Sequence, residues 1–169
     1  MNAPTVEPLN HLPADELAKK LLYCCGSQAW VQRMLTARPY LSMDDLIAKA
    51  AAADAQLSHA DWKEAFAAHP EIGTKSKAIS KWEAQEQRGA STAAETTLDQ
   101  LAAGNQDYKA RFGYIYIVCA TGKSADEMLQ ILQRRLTHSA ADELPVAAHE
   151  QSKITIIRLR KLVDEYVAS

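Results

Sequence analysis

The chain has 169 residues, of which 47% are hydrophobic and 24% charged, and its formal net charge is −2. That length suits one domain with a substantial core, and the composition is too apolar for a disordered chain. So small a charge gives no global attraction to nucleic acid or to an anionic membrane. Cys24, Cys25 and Cys119 are odd in number and two are adjacent, which is unlike a disulfide framework and fits a reducing cytoplasm. The opening MNAPTVEPLNHLP has neither a basic n-region nor an apolar h-region, and no stretch has the apolar length to span a bilayer. The closing Val167-Ala168-Ser169 is not the peroxisomal Ser-Lys-Leu address. The expectation is a cytoplasmic protein without a targeting segment.

In chain order, Pro4, Pro8 and Pro13 suggest an extended arm over residues 1–12, followed by a helical domain over 13–169. ADELAKKLLYCC carries apolar residues at helical spacing and stops at Gly26. Ser27 can cap the next helix, AWVQRMLTA, which Pro39 ends. Ser42 with Asp45, and Ser58 with Asp61, have capping-box spacing before DDLIAKAAAADAQ and ADWKEAFAA. The second of these runs into His69, and the residue before a proline is pushed out of the α region, so His69 falls at a helix C-terminal end. SKWEAQEQRGA reads as a further helix closed near Gly89, and a longer one runs from about Thr92 towards Arg111 with Gly104 as its weak point. YIYIVCA, residues 114–120, is β-like but has no second strand to pair with, so it reads as an extended or irregular connection packed in the core. Ser124 with Glu127 opens DEMLQILQRRL, and a last helix runs from about Pro145 to Tyr166. The fold class is all-α, a single-domain multi-helix bundle with one irregular extended core segment.

The five histidines, at 11, 59, 69, 138 and 149, show no HxxxH or HExxH spacing, and the cysteines form no CxxC, so a sequence-local metal site is not expected. GxGxxG, GxxxxGK[ST] and GxSxG are all missing, which leaves nucleotide binding and an α/β-hydrolase nucleophile without support. His69 and the acidic WEAQEQ remain. A histidine exchanges a proton near neutral pH, and a nearby carboxylate can orient it. Chain reversal through Pro70 and Gly73 could bring Glu83, Glu86 and Gln87 towards His69. The plainer alternative is that His69 merely caps a helix and Glu86 lies on a solvated face.

HPEIG at 69–73, EAQEQRGA at 83–90, RFGYIYIVCATGKSADEML at 111–129 and KITIIRLRKL at 153–162, in that order, resemble the OHCU decarboxylases. These are the 2-oxo-4-hydroxy-4-carboxy-5-ureidoimidazoline decarboxylases of urate degradation. The resemblance implies an all-α homodimer that converts OHCU to (S)-allantoin without a cofactor, because the imine beside the departing carboxylate can accept its electrons. It implies that His69 delivers or relays a proton to one face of the intermediate, with Pro70 beside it. It further implies that Glu86 and Gln87 bind the ureido and ring amide groups, Glu86 counting among the catalytic residues. Arg158 would contact the anionic substrate, with Arg160 as a competitor on another side of the helix. Residues Tyr116, Ile117, Val118, Cys119 and Ala120 would offer backbone groups free of a helical ladder. Two positions depart from the family pattern: Glu83, where many members have serine, and Ile115, where many have proline. A carboxylate at 83 would repel a negative substrate unless protonated, paired or turned away, so Glu83 is expected to line the site without an assigned role. Two other readings stay open: a helical interaction protein on the same scaffold without chemistry, and a cofactor-free enzyme acting on a related ureido compound.

Overall fold

The computed structural model describes residues 5–69 and 95–168. Among these, the helices are α1 (Glu7–His11), α2 (Ala14–Cys24), α3 (Gln28–Thr36), α4 (Met43–Ala55), α5 (His59–Ala67), α6 (Glu95–Phe112), α7 (Ala125–Arg135) and α8 (Ala140–Ala168). No strand occurs among the described residues, as the all-α expectation requires. Contacts group the chain into two compact units, residues 1–68 with 152–169, and residues 69–151. The helix expected over SKWEAQEQRGA lies outside the described residues.

In the first unit, α3 packs on α2, α4 and α5. It does so through Trp30, Val31 and Met34, which are buried at the i, i+1 and i+4 positions of one face. The Trp30 indole N–H donates to the Ala50 carbonyl at 3.2 Å, so the largest buried side chain also satisfies its polar edge. Each expected cap is present: Ser27, Ser42, Ser58 and, in the second unit, Ser124 accept from the backbone N–H of Trp30, Asp45, Asp61 and Glu127. At Ser58 the box is complete, because Asp61 returns a bond to the Ser58 N–H. At Ser42 it is not, because the Asp45 carboxylate turns to the Leu41 N–H and to Lys49.

Within residues 1–12, expected to form an extended arm, residues 7–11 are helical. Pro8 lies in the first turn, where its missing N–H costs nothing and its fixed φ suits a helix. Val6 and Leu9 are buried, and Arg38 donates to the Leu9 and Leu12 carbonyls at 3.2 and 2.8 Å, satisfying the end of a helix too short to hold itself. The last helix also starts earlier than Pro145. Ser139 accepts from the Asp142 N–H at 3.1 Å and opens α8, leaving Pro145 inside it on an exposed face.

The second unit is built on α6, α7, the first part of α8 and the connection between α6 and α7. α6 runs through Gly104 without a break, and a Cβ there would lie 2.5 Å from Leu132 Cδ2, on the side where α7 packs. Gly113 ends α6 with φ +85° and donates to the Lys109 carbonyl at 2.8 Å, a left-handed C-terminal stop. The chain then runs through residues 114–120, all buried and none in a helix or strand. A buried ion pair sets their path. Arg135 donates through Nε to Glu143 Oε2 at 2.8 Å and through Nη1 to the Ile117 carbonyl at 2.5 Å, with side-chain exposures of 4% for Arg135 and 0% for Glu143. Tyr108 donates to the same carboxylate oxygen, and His138 Nδ1 lies 3.0 Å from the other. The guanidinium also sits 4.9 Å from the Tyr116 ring centroid.

Removing one partner from such a pair strands a buried charge. Glu143→Gln is therefore expected to cost about 3–5 kcal/mol of unfolding free energy in urea titration, and a loss under about 1 kcal/mol would show that Arg135 does not depend on it. In the first unit, a Cβ at Gly26 would lie 2.4 Å from the Ala68 Cβ, a rigid neighbour. Gly26→Ala should cost about 1–3 kcal/mol through overpacking, and an unchanged midpoint would show that α5 moves aside freely.

Candidate active site

His69 follows α5 by two residues, where the helical ladder no longer fixes the backbone. Its placement comes instead from a side chain 82 residues away: Nε2 lies 2.6 Å from the Oε1 of Gln151 on α8. Gln151 is 2% exposed, so this is a buried amide, a group that native proteins supply with partners. With Oε1 accepting, the imidazole carries its hydrogen on Nε2, and the bond fixes the plane of the ring.

The residue before Gln151 holds the extended connection. Glu150 Oε1 accepts from the Cys119 N–H at 3.1 Å, and Lys123 Nζ donates to the Cys119 carbonyl at 2.7 Å. The Lys123 N–H takes the Ala120 carbonyl at 3.0 Å, and Arg135 already holds that of Ile117. The Tyr116 hydroxyl donates to the Met128 carbonyl at 2.9 Å, and burial raises its pKa well above the usual phenol range against the pull of Arg135. The run is free of a helical ladder, as expected, but not of other partners. Several are committed within the protein, while the Val118 N–H and C=O enter none of the described hydrogen bonds.

Arg158 belongs to the first unit. It is 5% exposed and donates through Nη1 to the Tyr23 carbonyl in the last turn of α2 at 2.8 Å. Close by, burial pushes the Cys25 thiol up to about 11, so it stays protonated and packs as a small core group. Arg160, two residues on, is exposed. A charged side chain is buried only where it has partners to satisfy it, and α8 gives Arg158 that environment and Arg160 none.

Of the residues singled out in the sequence, His69 and Tyr116 to Ala120 therefore lie in one unit, with His69 bonded to Gln151 and Cys119 to Glu150, consecutive residues of α8. Pro70, Glu83, Glu86 and Gln87 lie outside the described residues. Gln151, Glu150, Lys123 and Arg135 were missed. In the sequence they are unremarkable polar positions on helices or beside a glycine turn, and only the tertiary fold pairs them with the site. Among the described residues, no group of three or more histidine, cysteine, aspartate or glutamate side chains could hold a metal ion. No described helix is long and apolar enough to cross a membrane.

The family model for OHCU decarboxylase matches residues 10–160. The chain is similar to the uric acid degradation bifunctional protein TTL of Arabidopsis thaliana, 38% identical over 148 residues, which cover 84% of this chain and 46% of that protein. The chain thus spans about half the length of that relative. It is also similar to a 2-oxo-4-hydroxy-4-carboxy-5-ureidoimidazoline decarboxylase of Haloferax volcanii, 24% identical, with 94% of this chain and 96% of that one covered. Among solved structures, a crystal structure of OHCU decarboxylase in the presence of (S)-allantoin superposes with a TM-score of 0.77 at 36% identity. That match covers 86% of this chain and 97% of the other. With the family pattern running through nearly the whole chain and the fold matching at this level, the protein belongs to the OHCU decarboxylase family.

Proposed function

We propose that the protein decarboxylates OHCU to (S)-allantoin in urate degradation, without a cofactor, and that His69 handles the proton. Family membership supports the reaction, and the observation that carries the residue is the imidazole of His69 held at 2.6 Å by a buried amide just beyond a helix end. The side chain is held by this bond beyond the end of α5, and proton transfer at a defined face demands a fixed ring.

The reaction makes modest demands. The bond between the ring carbon and the carboxylate breaks, its electron pair moves into the adjoining imine, carbon dioxide leaves, and the intermediate takes up one proton. His69 supplies or relays that proton from one side, which sets the handedness of the product. Glu86 and Gln87 bind the ureido and ring amide groups, with Pro70 and Glu83 lining the site. Arg158 meets the substrate anion, a role supported by its burial and by the exposure of Arg160. Tyr116, Ile117, Val118, Cys119 and Ala120 contribute backbone. Since Cys119 is already bonded at both its N–H and its carbonyl, Tyr116 and Val118, whose backbone groups enter none of the described hydrogen bonds, are better supported as donors or acceptors to substrate. The proposal includes a homodimer acting in the cytoplasm; Leu22 and Tyr23 expose apolar surface at the end of α2 that a second copy could cover.

Three outcomes test this. OHCU generated from urate with urate oxidase and hydroxyisourate hydrolase should yield a growing (S)-allantoin circular dichroism signal when the protein is added, whereas spontaneous decay gives racemate. His69→Asn should lower turnover by about 10²–10⁴-fold while leaving the melting temperature near wild type, and a folded, fully active variant removes the role from His69. Arg158→Lys should raise KM about tenfold, more than Arg160→Lys does, and the reverse order would transfer the anion contact to Arg160.

A further inference from the structure

We propose that Gln151 is a positioning residue for His69, selecting the tautomer and orientation in which the imidazole exchanges its proton while adding no charge of its own; this rests on the reading of His69 above. Three observations carry it. First, Gln151 is 2% exposed and its Oε1 lies 2.6 Å from Nε2, so the amide is committed to the ring rather than to solvent. Since Oε1 accepts, Nε2 carries the hydrogen, and the amide thereby selects the tautomer.

Second, the acceptor is neutral. A carboxylate at this position would stabilise the imidazolium and hold its proton to higher pH, whereas an amide orients the ring without adding a charge. Third, Gln151 follows Glu150, which holds the Cys119 N–H at 3.1 Å. Consecutive residues of a helix are related by a fixed rotation of about 100° and a rise of about 1.5 Å. One turn of α8 thus fixes both the imidazole and the buried backbone run within the same unit, and a helix holds such a pair more firmly than a loop can.

The test combines an NMR titration of 15N-histidine-labelled protein with the circular dichroism assay. His69 is identified by the resonance lost in His69→Asn. In Gln151→Glu the His69 pKa should rise by about one unit or more, since an opposite charge favours the protonated ring. The limb of the pH–rate profile governed by His69 should move to higher pH with it. In Gln151→Met, close in size but without an acceptor, kcat should fall about tenfold with KM within about twofold, the mark of a group that acts through the reacting residue rather than on the bound substrate. An unchanged His69 pKa in Gln151→Glu, or wild-type kcat in a folded Gln151→Met, overturns the proposal. If the wild-type protein forms no (S)-allantoin, the functional reading fails instead, and the titration of Gln151→Glu still decides whether this amide governs the ring.

Discussion

Much of the second unit hangs on the contact between Arg135 and Glu143. A guanidinium and a carboxylate removed from water must satisfy each other and almost every remaining hydrogen-bonding position. Here the surplus goes into structure: one Arg135 donor reaches the Ile117 carbonyl, while Tyr108 and His138 complete the carboxylate. Burial works against the charge on Arg135, yet its bond to Glu143 prevails and holds its pKa above the usual guanidinium value. The pair is therefore a fixed point from which α6, α7, α8 and an irregular stretch of backbone take their positions. A regular strand would need a neighbour to bond along its length; this stretch takes side-chain partners at selected carbonyls and amides, which frees the rest of its backbone for other use.

How much of this could be read beforehand follows from the range of each interaction. Caps at Ser27, Ser42, Ser58 and Ser124 were legible because a side chain and an N–H three residues on decide them locally. The all-α class and the irregular character of residues 114–120 were legible too, since a lone apolar run without a second strand has few other fates. The helix at Glu7–His11 was not, because its support comes from Arg38 and from burial of Leu9, neither of which its own residues announce. Gly104 looked like a flaw in α6, yet the helix runs through it, and its neighbour there is Leu132, a fact about another helix. His69 could be picked out by its place before a proline, but its partner Gln151 stands in a helical sequence with nothing to set it apart.

The helix α8 shows why a motif read along a chain can be incomplete. KITIIRLRKL pointed to Arg158, yet the turn just before that motif carries Glu150 and Gln151, whose bonds to Cys119 and His69 are as specific in geometry as the arginine's to Tyr23. Groups that grip substrate leave a pattern of unusual residue types. Groups that grip those groups are ordinary amides and carboxylates in ordinary helical surroundings. Pro145, lying on an exposed face within α8, shows the same tolerance: solvent can take the carbonyl it leaves without a helical donor.

The Ile117 and Cys119 carbonyls are held by Arg135 and Lys123, and the Cys119 amide by Glu150. The instructions for the path of the buried run are thus written outside it, in three charged side chains on its flanks and on a distant helix. Any apolar residue of suitable volume at 115, 117 or 118 presents the same backbone to the same anchors. During divergence, the run is free to drift in side-chain identity while keeping its course, and the loss of an anchor would derail it even with every one of its own letters intact.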